Sequence, residues 1–349
     1  MMPAVSMTNV KLSEALALAS EGFEGNKQKA LRRASRRAMT WPEEVATLAA
    51  EGRDLTDLPA VGPWVRDFLL ELLASPQEID EPPRIRSGFM SFAHARAVVS
   101  ENLDVRRALK GDLQMHSLYS DGNNPIRDMA LKGIELGHEY IAITDHSKGL
   151  KIAGGMDEDT LANQGAEIDA LNEELAPDGF RVLRALEMNI SPDGSGDMGS
   201  GALTSLDLVL GSFHSKLRTK EDQTERYLAA LHNTHVHVLG HPRGRMFNFR
   251  LGLSANWPRV FEEAARLDKA VEVDCHPNRQ DLDVALLEIA SDTGVRVSIG
   301  TDAHSPEEME FIDLGVATVV EAGFPMDRVV NLMPVDDLLE WAASHVGKA

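Results

Sequence analysis

Apolar and polar residues alternate in two different ways along this chain of 349 residues. Before residue 76 the apolar positions recur at helical spacing, in segments such as KLSEALALASEGF and PEEVATLAAEG that end near glycine. After residue 110, short apolar runs alternate with longer amphipathic segments, which is the pattern of strands connected by helices. Seven such runs are present: DLQMH, YIAITDH, FRVLRALEMNI, SLDLVLGSFH, VHVLGHP, AVEVDCHP and VRVSIGTDAH.

These patterns predict three segments. Residues 1–75 form a small all-α domain, residues 76–110 form a connection that begins rich in proline and charge, and residues 111–349 form an α/β domain. Seven strands separated by helices indicate a parallel sheet, and this number of strands favours closure into a barrel. The predicted fold class is therefore α/β, with a barrel that follows a small helical domain.

The composition is that of a soluble globular protein, with 43% hydrophobic and 26% charged residues. No apolar stretch is long enough to span a bilayer, and the N-terminal stretch lacks the basic and apolar segments of a secretion signal. We therefore expect a cytoplasmic protein with no membrane partner. Cys275 is the only cysteine, which excludes a disulfide framework and a cysteine-based zinc site, so any metal must be held by histidines and carboxylates.

The net charge of −20 is unevenly distributed. Residues 1–90 carry 11 Lys or Arg and 13 Asp or Glu, so almost all of the negative charge lies in the remaining 259 residues. A basic run in the first segment fits either a solvated helix face or a face that contacts phosphates, and the sequence leaves both open. Its members are Lys27, Lys29, Arg32, Arg33, Arg36 and Arg37.

The stretch LTDLPAVGPWVRDFLLELLAS resembles a helix-hairpin-helix, a module whose turn offers backbone N–H groups and a helix N-terminus to a DNA phosphate. It combines a polar start, a tight turn from Leu58 to Pro63 and an amphipathic helix. It departs from the usual turn in two ways, because Ala60 replaces the first of two glycines and Pro63 removes one amide donor. An αα-hairpin that only packs remains the alternative.

Side chains that bind metals follow the ends of the predicted strands. Asp302 and His304 are two residues apart beyond the last run, and in an extended chain they would point the same way. Parallel barrels place their chemistry at the carboxyl ends of the strands, so residues at corresponding ends are expected to converge. Five imidazoles and three carboxylates exceed one tetrahedral site and indicate two or three divalent ions. The candidates are His116, Asp121, His146, Glu187, His214, His241, Asp302 and His304.

Five segments resemble, in this order, the PHP (polymerase and histidinol phosphatase) domain: DLQMHSLYSDG, ITDHSKGLKIAGGMDE, GSFHS, GHPRGR and IGTDAH. Within that family, IAGGMDE and DCHPNRQDLD favour the version found at the C-terminus of bacterial family X DNA polymerases. The resemblance covers about residues 111–345, and the preceding helical region is similar to the small N-terminal domain of the same polymerases. Residues 76–110 leave no room for the polymerase palm.

The resemblance implies a distorted seven-stranded (β/α) PHP barrel, preceded by a helix-hairpin-helix domain. It also implies metal-dependent hydrolysis of phosphoesters, with two to three divalent ions that would be Mn²⁺, Zn²⁺ or Fe²⁺. The chain departs from the family at Gln114, which stands where many PHP domains have the first histidine of an HxH pair. One metal position is therefore expected to be weakened or filled by water.

Roles follow for the individual residues. Asp121, Glu187 and Arg243 are the predicted catalytic residues. Contacts to the substrate phosphate are predicted for Arg243, Arg245, Arg279 and Lys148, with surface solubility as the alternative role for the two arginines that follow His241. Residues predicted to support the ligands are Gln114, Asp145 and His276, the last of which also fits a substrate contact or a turn histidine.

Three functions remain open. The first is a DNA-repair enzyme that acts on DNA 3′ ends, as a 3′–5′ exonuclease or a 3′-end phosphoesterase, and is held on DNA by its helical domain. The second is a phosphatase for a small phosphomonoester such as histidinol phosphate, which the acidic barrel favours. The third is a DNA-binding scaffold with an inert barrel, which the complete set of eight ligands disfavours. The sequence does not indicate an oligomeric state.

Overall fold

The structure is a computed structural model that describes residues 7–75, 79 and 81–345. The chain divides into two compact units between Glu101 and Asn102. Of the predicted connection 76–110, residues 76–78 and 80 lie outside the described residues, as do the ends of the two predicted domains at 1–6 and 346–349. Among the described residues, no helix is long and apolar enough to cross a bilayer.

The first unit is helical, as its apolar spacing predicts. Its core consists of fully buried apolar side chains, among them Leu16, Leu31 and Trp41. The side chain of Thr8 accepts a hydrogen bond from the Lys11 N–H and so caps the first helix. The helices are α1 (Asn9–Ala19), α2 (Gly25–Ala38), α3 (Val45–Ala50), α4 (Pro63–Ala74) and α5 (Phe92–Glu101).

The predicted basic run lies on the solvent side of α2. Leu31, Ala34 and Ala38 of this helix are buried, whereas all six cations of the run are exposed. The burial of one face follows from the helical spacing of its apolar residues. Exposure fits both predicted roles of the cations, since a face that contacts phosphates must also be accessible.

The predicted hairpin segment contains a 3-10 turn at Leu55–Asp57 and α4, which begins at Pro63, and α3 precedes it. Between them the Val61 N–H donates to the Leu58 carbonyl at 3.1 Å, and Ala60 adopts a left-handed backbone with a φ of 68°. Glycine adopts this conformation without steric cost, which explains why glycine suits this position in the usual turn. Alanine holds the same turn here with some strain.

Seven parallel strands form the sheet of the second unit. They are β1 (Gly111–Asp112), β2 (Tyr140–Ile143), β3 (Arg181–Asn189), β4 (Leu208–Ser212), β5 (Val238–Gly240), β6 (Ala270–Asp274) and β7 (Arg296–Gly300). Each strand pairs in parallel with its sequence neighbour, in the order β1 to β7. All residues of β2, β4, β5 and β6 are buried, as expected for strands that are covered on both faces. The predicted α/β class is confirmed.

The barrel closes between β7 and the chain around β1. The Asp302 N–H donates to the Gln114 carbonyl at 3.0 Å, and the His116 N–H donates to the Ala303 carbonyl at 2.8 Å. Deeper in the barrel, the side-chain amide of Asn331 donates to one carbonyl of β1 and one of β7, at 2.9 and 2.7 Å. The first predicted strand is thus regular over only two residues, but the hydrogen bonds of Gln114 and His116 beyond it complete a nearly closed barrel.

Helices surround the barrel and close one of its ends. Those of the second unit are α6 (Leu103–Ala108), α7 (Ile126–Glu135), α8 (Glu158–Leu175), α9 (Ser200–Leu203), α10 (Thr224–Leu231), α11 (Trp257–Arg266), α12 (Val284–Ser291), α13 (Ile312–Glu321) and α14 (Val335–Ala343). Leu338 and Trp341 of α14 belong to the same buried cluster as Leu210 inside the barrel. On the outer face, Ile168 of α8 packs in a cluster with Ile141 of β2. The loops at the carboxyl ends of the strands carry the candidate site.

Replacing Ala60 with glycine should stabilise the first unit by about 1 kcal/mol, because glycine removes the cost of the left-handed conformation. Hydrogen exchange of peptides from residues 45–74 measures this change separately from any effect on the barrel. Ala30→Gly is the matched control, and inside α2 it should destabilise by about 1 kcal/mol. Loss of protection in Ala60→Gly would contradict the turn described above.

Candidate metal centre

The fold brings all eight predicted ligands together at the carboxyl end of the barrel. Glu187 is in β3, whereas the others lie in the loops after β1, β2, β4, β5 and β7. The side chains of His116 and Glu187 are fully buried, while those of Asp121 and His304 are 36% and 26% exposed. The site therefore opens to solvent beside Asp121 and His304.

The carboxylate of Glu187 is the centre of an inner group. Its Oε1 lies 2.7 Å from His241 Nε2 and 3.2 Å from His214 Nε2. Its Oε2 lies 3.0 Å from His146 Nδ1 and 3.6 Å from His116 Nε2. Four imidazoles thus surround one buried carboxylate.

The carboxylate of Asp121 is the centre of an outer group. Its Oδ1 lies 3.4 Å from His304 Nε2, 3.5 Å from His146 Nε2 and 3.9 Å from His116 Nδ1. His116 and His146 therefore direct one ring nitrogen toward each carboxylate, and their stacked rings are 4.4 Å apart. The inner and outer groups share these two imidazoles, as neighbouring metal positions would.

The backbone conformation at Asp302 and His304 differs from the predicted extended one. β7 ends at Gly300, and Asp302 has a φ of 53°, so the chain is not extended there. Asp302 Oδ1 lies 3.0 Å from His116 Nε2, and His304 Nδ1 lies 2.8 Å from the Asp302 carbonyl oxygen. The expectation that strand alternation aligns the pair is wrong, because a left-handed turn aligns it. His241 also has a positive φ, of 25°, and such strain is common at functional sites.

The arrangement of donor atoms fits divalent cations. Donors around an ion with bonds of about 2.0–2.2 Å are about 3.0–3.5 Å apart, close to most of the distances above. Three sets of donors lie within 4.8 Å of one another: His116, His146 and His304; His146, Glu187 and His214; His116, Glu187 and Asp302. Several buried donors make no hydrogen bond of good geometry with the described residues, and cations would satisfy them. They are His116 Nδ1, His146 Nδ1, His214 Nε2, His241 Nδ1 and Glu187 Oε2.

Neighbouring groups keep the two buried acidic ligands ionised. Burial opposes ionisation of Glu187, but the surrounding imidazoles hold its pKa well below the ordinary value. Burial also opposes ionisation of Asp302, whose pKa is held well below the ordinary value by Arg279 and His116. Both carboxylates are therefore available to a cation near neutral pH.

A further buried acid, which the sequence analysis did not predict, supports the ligands. Glu272 accepts a hydrogen bond from the His241 N–H at 2.6 Å. With its amide nitrogen turned toward Glu272, Gln114 donates to both carboxylate oxygens, at 2.5 and 2.9 Å. Burial raises the pKa of Glu272 well above the ordinary value, whereas the pKa of Glu187 is held well below it. The sequence contains one signal that could have identified Glu272, since it is a charged residue inside the otherwise apolar start of the run AVEVD.

Two of the cations predicted to contact phosphate are tied to other carboxylates. Arg243 donates to Asp281 at 3.0 Å and to Asp283 at 2.9 Å. Arg245 donates to the same oxygen of Asp283 at 2.7 Å. Both arginines are largely buried, so these pairs join the loop after β5 to the loop after β6.

The other two predicted phosphate contacts differ in their distance from the ligands. Arg279 Nε lies 2.8 Å from Asp302 Oδ2, which places a guanidinium directly beside a candidate ligand. Lys148 donates to Glu158 at 2.6 Å, and both side chains are exposed. Of the four predicted cations, Arg279 is the one in direct contact with the ligand set.

The remaining predicted support residues act on loops. Asp145 accepts hydrogen bonds from the Ser117 N–H at 2.8 Å and from the Ser120 hydroxyl at 2.5 Å, and so holds the loop after β1. His276 donates its backbone N–H to Asp274 at 2.7 Å, directly after β6. The contacts of Asp145 fix the loop that carries His116 and Asp121, whereas the contact of His276 fixes the loop after β6, which carries no predicted ligand.

These features define the second unit as a parallel α/β barrel with a cluster of histidines and carboxylates at the carboxyl ends of its strands. Residues 112–274 match the family model of the PHP domain. The chain contains a PHP domain, as its motifs predict.

Known proteins resemble about two thirds of the chain. It is 38% identical over 231 residues to the DNA polymerase/3′-5′ exonuclease PolX of Bacillus subtilis (strain 168), which covers 66% of this chain and 40% of that relative. It is 28% identical over 236 residues to a "Probable phosphatase" of Enterobacter sp. (strain 638), which covers 64% of this chain and 90% of that relative. The chain thus spans 40% of the length of the Bacillus relative and most of the length of the Enterobacter one.

Among solved structures, histidinol phosphate phosphatase from Lactococcus lactis, complexed with zinc, L-histidinol and phosphate, aligns with a TM-score of 0.48 and 20% identity. The alignment covers 62% of this chain and 95% of that chain.

Glu187→Gln should lower the metal content of the purified protein by at least one ion per chain, because it removes the carboxylate that four imidazoles surround. Elemental analysis after dialysis against metal-free buffer measures the content. Glu272→Gln is the matched control, since Glu272 is equally buried but contacts the backbone N–H of His241 and not its imidazole, and it should retain the metal. Equal loss of metal from both variants would contradict the assignment of Glu187 as a ligand.

Asp112→Asn should weaken the pH dependence of stability. Asp112 accepts the N–H and hydroxyl of Thr301, and burial raises its pKa from 3.8 to about 7. Because the folded pKa is above the unfolded one, its contribution to stability is full below pH 3.8 and is lost as pH rises through 7. Between pH 5 and pH 8, the free energy of unfolding of the parent protein, measured with urea, should fall by about 2–3 kcal/mol more than that of the variant. The exposed Asp104→Asn serves as control, and equal losses in parent and Asp112→Asn would refute the shift.

Proposed function

We propose that this protein is a metal-dependent phosphoesterase that hydrolyses phosphodiester bonds at DNA 3′ ends, with a role in DNA repair. The observation that carries the proposal is the pair of adjacent ligand groups around Glu187 and Asp121, which share His116 and His146. Two or three divalent ions held there would supply hydroxide near neutral pH and neutralise charge on a phosphoryl group. Phosphoester hydrolysis is the reaction that such a centre serves best.

The residues of the site determine how a substrate would approach. Asp121 and His304 are the exposed members, so a phosphoryl group would enter on their side. Glu187 remains buried and ionised and keeps the imidazoles in place. Arg279 orients Asp302 and is the cation nearest to the reacting phosphate, whereas Arg243 would have to leave its carboxylate partners before it could contact one.

Two further observations support DNA as the substrate. The Bacillus relative is named a DNA polymerase/3′-5′ exonuclease. The first unit of this chain presents six exposed cations on α2 and a hairpin turn with a left-handed residue at Ala60. Phosphate contacts of this kind supply binding that does not depend on sequence, so the first unit would hold DNA while the barrel cuts its end.

A phosphatase for small phosphomonoesters, such as histidinol phosphate, is the second candidate. It is favoured by the Enterobacter relative, which is named a probable phosphatase and is covered over 90% of its length by this chain. The net charge of the barrel also suits a small substrate better than a polyanion. An inert scaffold is the least favoured reading, since every position of the two ligand groups carries a competent donor.

With Mn²⁺, the protein should release nucleotides from the 3′ end of a labelled oligonucleotide, and Asp302→Asn should lower the rate by roughly 100-fold or more, because it weakens a ligand. The assay is repeated with Zn²⁺, Fe²⁺ and Mg²⁺. Asp327→Asn, an exposed change outside the centre, is the control and should retain full activity.

The other candidates predict different results in the same preparations. Turnover of histidinol phosphate far above that of DNA ends would favour the small-molecule phosphatase. Less than one metal ion per chain, together with retained DNA binding, would favour the scaffold. The absence of nucleotide release with all four metals would refute the proposed activity.

A further inference from the structure

Charge is unevenly distributed among the loops that surround the metal centre. The loops after β4 and β5, residues 213–223 and 241–256, carry six Lys or Arg and two Asp or Glu. The loop after β7, residues 301–311, carries four Asp or Glu and no Lys or Arg. In the part of the chain that holds nearly all of the negative charge, the loops after β4 and β5 form a basic rim.

Three exposed cations of the basic rim are available to bind an anion. Arg243 and Arg245 are neutralised by Asp281 and Asp283. The others have no carboxylate partner among the residues that the structure describes, and three of these four are exposed. The four are Lys216, Arg218, Lys220 and Arg250.

An aromatic residue stands among these cations. Met246 and Arg250 exchange two backbone hydrogen bonds of 2.9 Å, which makes residues 246–250 a tight hairpin. Phe249 lies at the tip of this hairpin and is 53% exposed, as is Leu251 just beyond it. The Arg218 guanidinium lies 4.6 Å from the centre of the Phe249 ring. An exposed ring held on a short hairpin beside an arginine offers a flat stacking surface next to a positive charge.

The basic rim is joined directly to the metal centre. The two loops that form it begin with His214 and His241, whose Nε2 atoms both lie within 3.2 Å of Glu187 Oε1. The loops also touch each other, since a Cβ on Gly244 would lie 2.9 Å from the Leu217 side chain. A chain bound along the rim would therefore lead into the metal centre.

We infer that the basic rim binds the single-stranded 3′ end of DNA, with a nucleobase stacked on Phe249 and backbone phosphates beside Lys216, Arg218 and Lys220; this inference rests on the proposed function. Proteins that hold single strands without sequence preference combine such cations with exposed aromatic rings. The acidic loop after β7 would repel the upstream backbone, so the strand would lie over β4 and β5 and only the phosphoryl group to be cut would reach the exposed side of the centre at Asp121 and His304. A small phosphomonoester offers neither a second phosphate nor a stacking base to this rim.

Photo-cross-linking tests the contact directly. A single-stranded oligonucleotide carries 5-iodouracil at the second or third position from its 3′ end and phosphorothioates at its last linkages to slow cleavage. Irradiation should label the tryptic peptide of residues 246–250, which contains Phe249, and the label should disappear in Phe249→Ala. The same probe with 5-iodouracil at its 5′ end is the control. Labelling that never reaches residues 213–223 or 241–256 would overturn the inference.

Kinetics test the consequence for catalysis. Phe249→Ala and Arg218→Gln should each lower kcat/KM for a single-stranded oligonucleotide by about tenfold, mainly through KM, because they remove a stacking surface and a phosphate contact. Both should keep kcat/KM within about twofold for the p-nitrophenyl ester of thymidine 5′-monophosphate, which lacks a second nucleotide. Ile152→Ala is the matched control, since Ile152 is an exposed apolar residue in the loop after β2.

The outcomes separate this inference from the proposed function. If the parent protein degrades oligonucleotides and both variants match it, the enzyme is as proposed and the rim is not its strand-binding surface. If the parent releases no nucleotides, the proposed activity fails, and the cross-link decides whether the rim binds a strand. Equal losses on the oligonucleotide and on the small ester would also overturn the inference, because they would indicate damage to the metal centre.

Discussion

The buried carboxylate of Glu187 constrains the whole carboxyl end of the barrel. An ionised group without water is costly unless charged or polar partners surround it, and here four imidazoles from four loops do so. The loops after β1, β2, β4 and β5 must therefore place their histidine side chains around the same carboxylate. His241 and Asp302 have a left-handed backbone conformation, which costs local free energy and allows this convergence.

The barrel holds buried acids with opposite pKa shifts within one small region. The imidazoles hold the pKa of Glu187 well below its ordinary value, whereas burial raises the pKa of Glu272, which accepts hydrogen bonds from Gln114 and the His241 N–H. The pKa of Asp302 is also lowered, because Arg279 lies beside it. The acids whose pKa values are lowered are therefore the two that belong to the ligand set.

The same separation of charge operates at the surface. The net charge of −20 argues against a nucleic-acid partner when it is treated as a sum. Its distribution gives a different picture, because the exposed cations Lys216, Arg218 and Lys220 lie in the loop of the candidate ligand His214, whereas Glu307, Glu308 and Glu310 lie in the loop after β7. Local potential, and not total charge, determines where a phosphate chain would approach.

The sequence alone was sufficient to predict the element types, the seven strands and the eight candidate ligands, because apolar periodicity and position at a strand end are local properties. It did not reveal that Arg243 is bound by Asp281 and Asp283, or that Glu272 supports the backbone of His241. Such facts depend on distances between residues roughly 30 to 40 positions apart in the chain, and on burial, which only the tertiary structure decides.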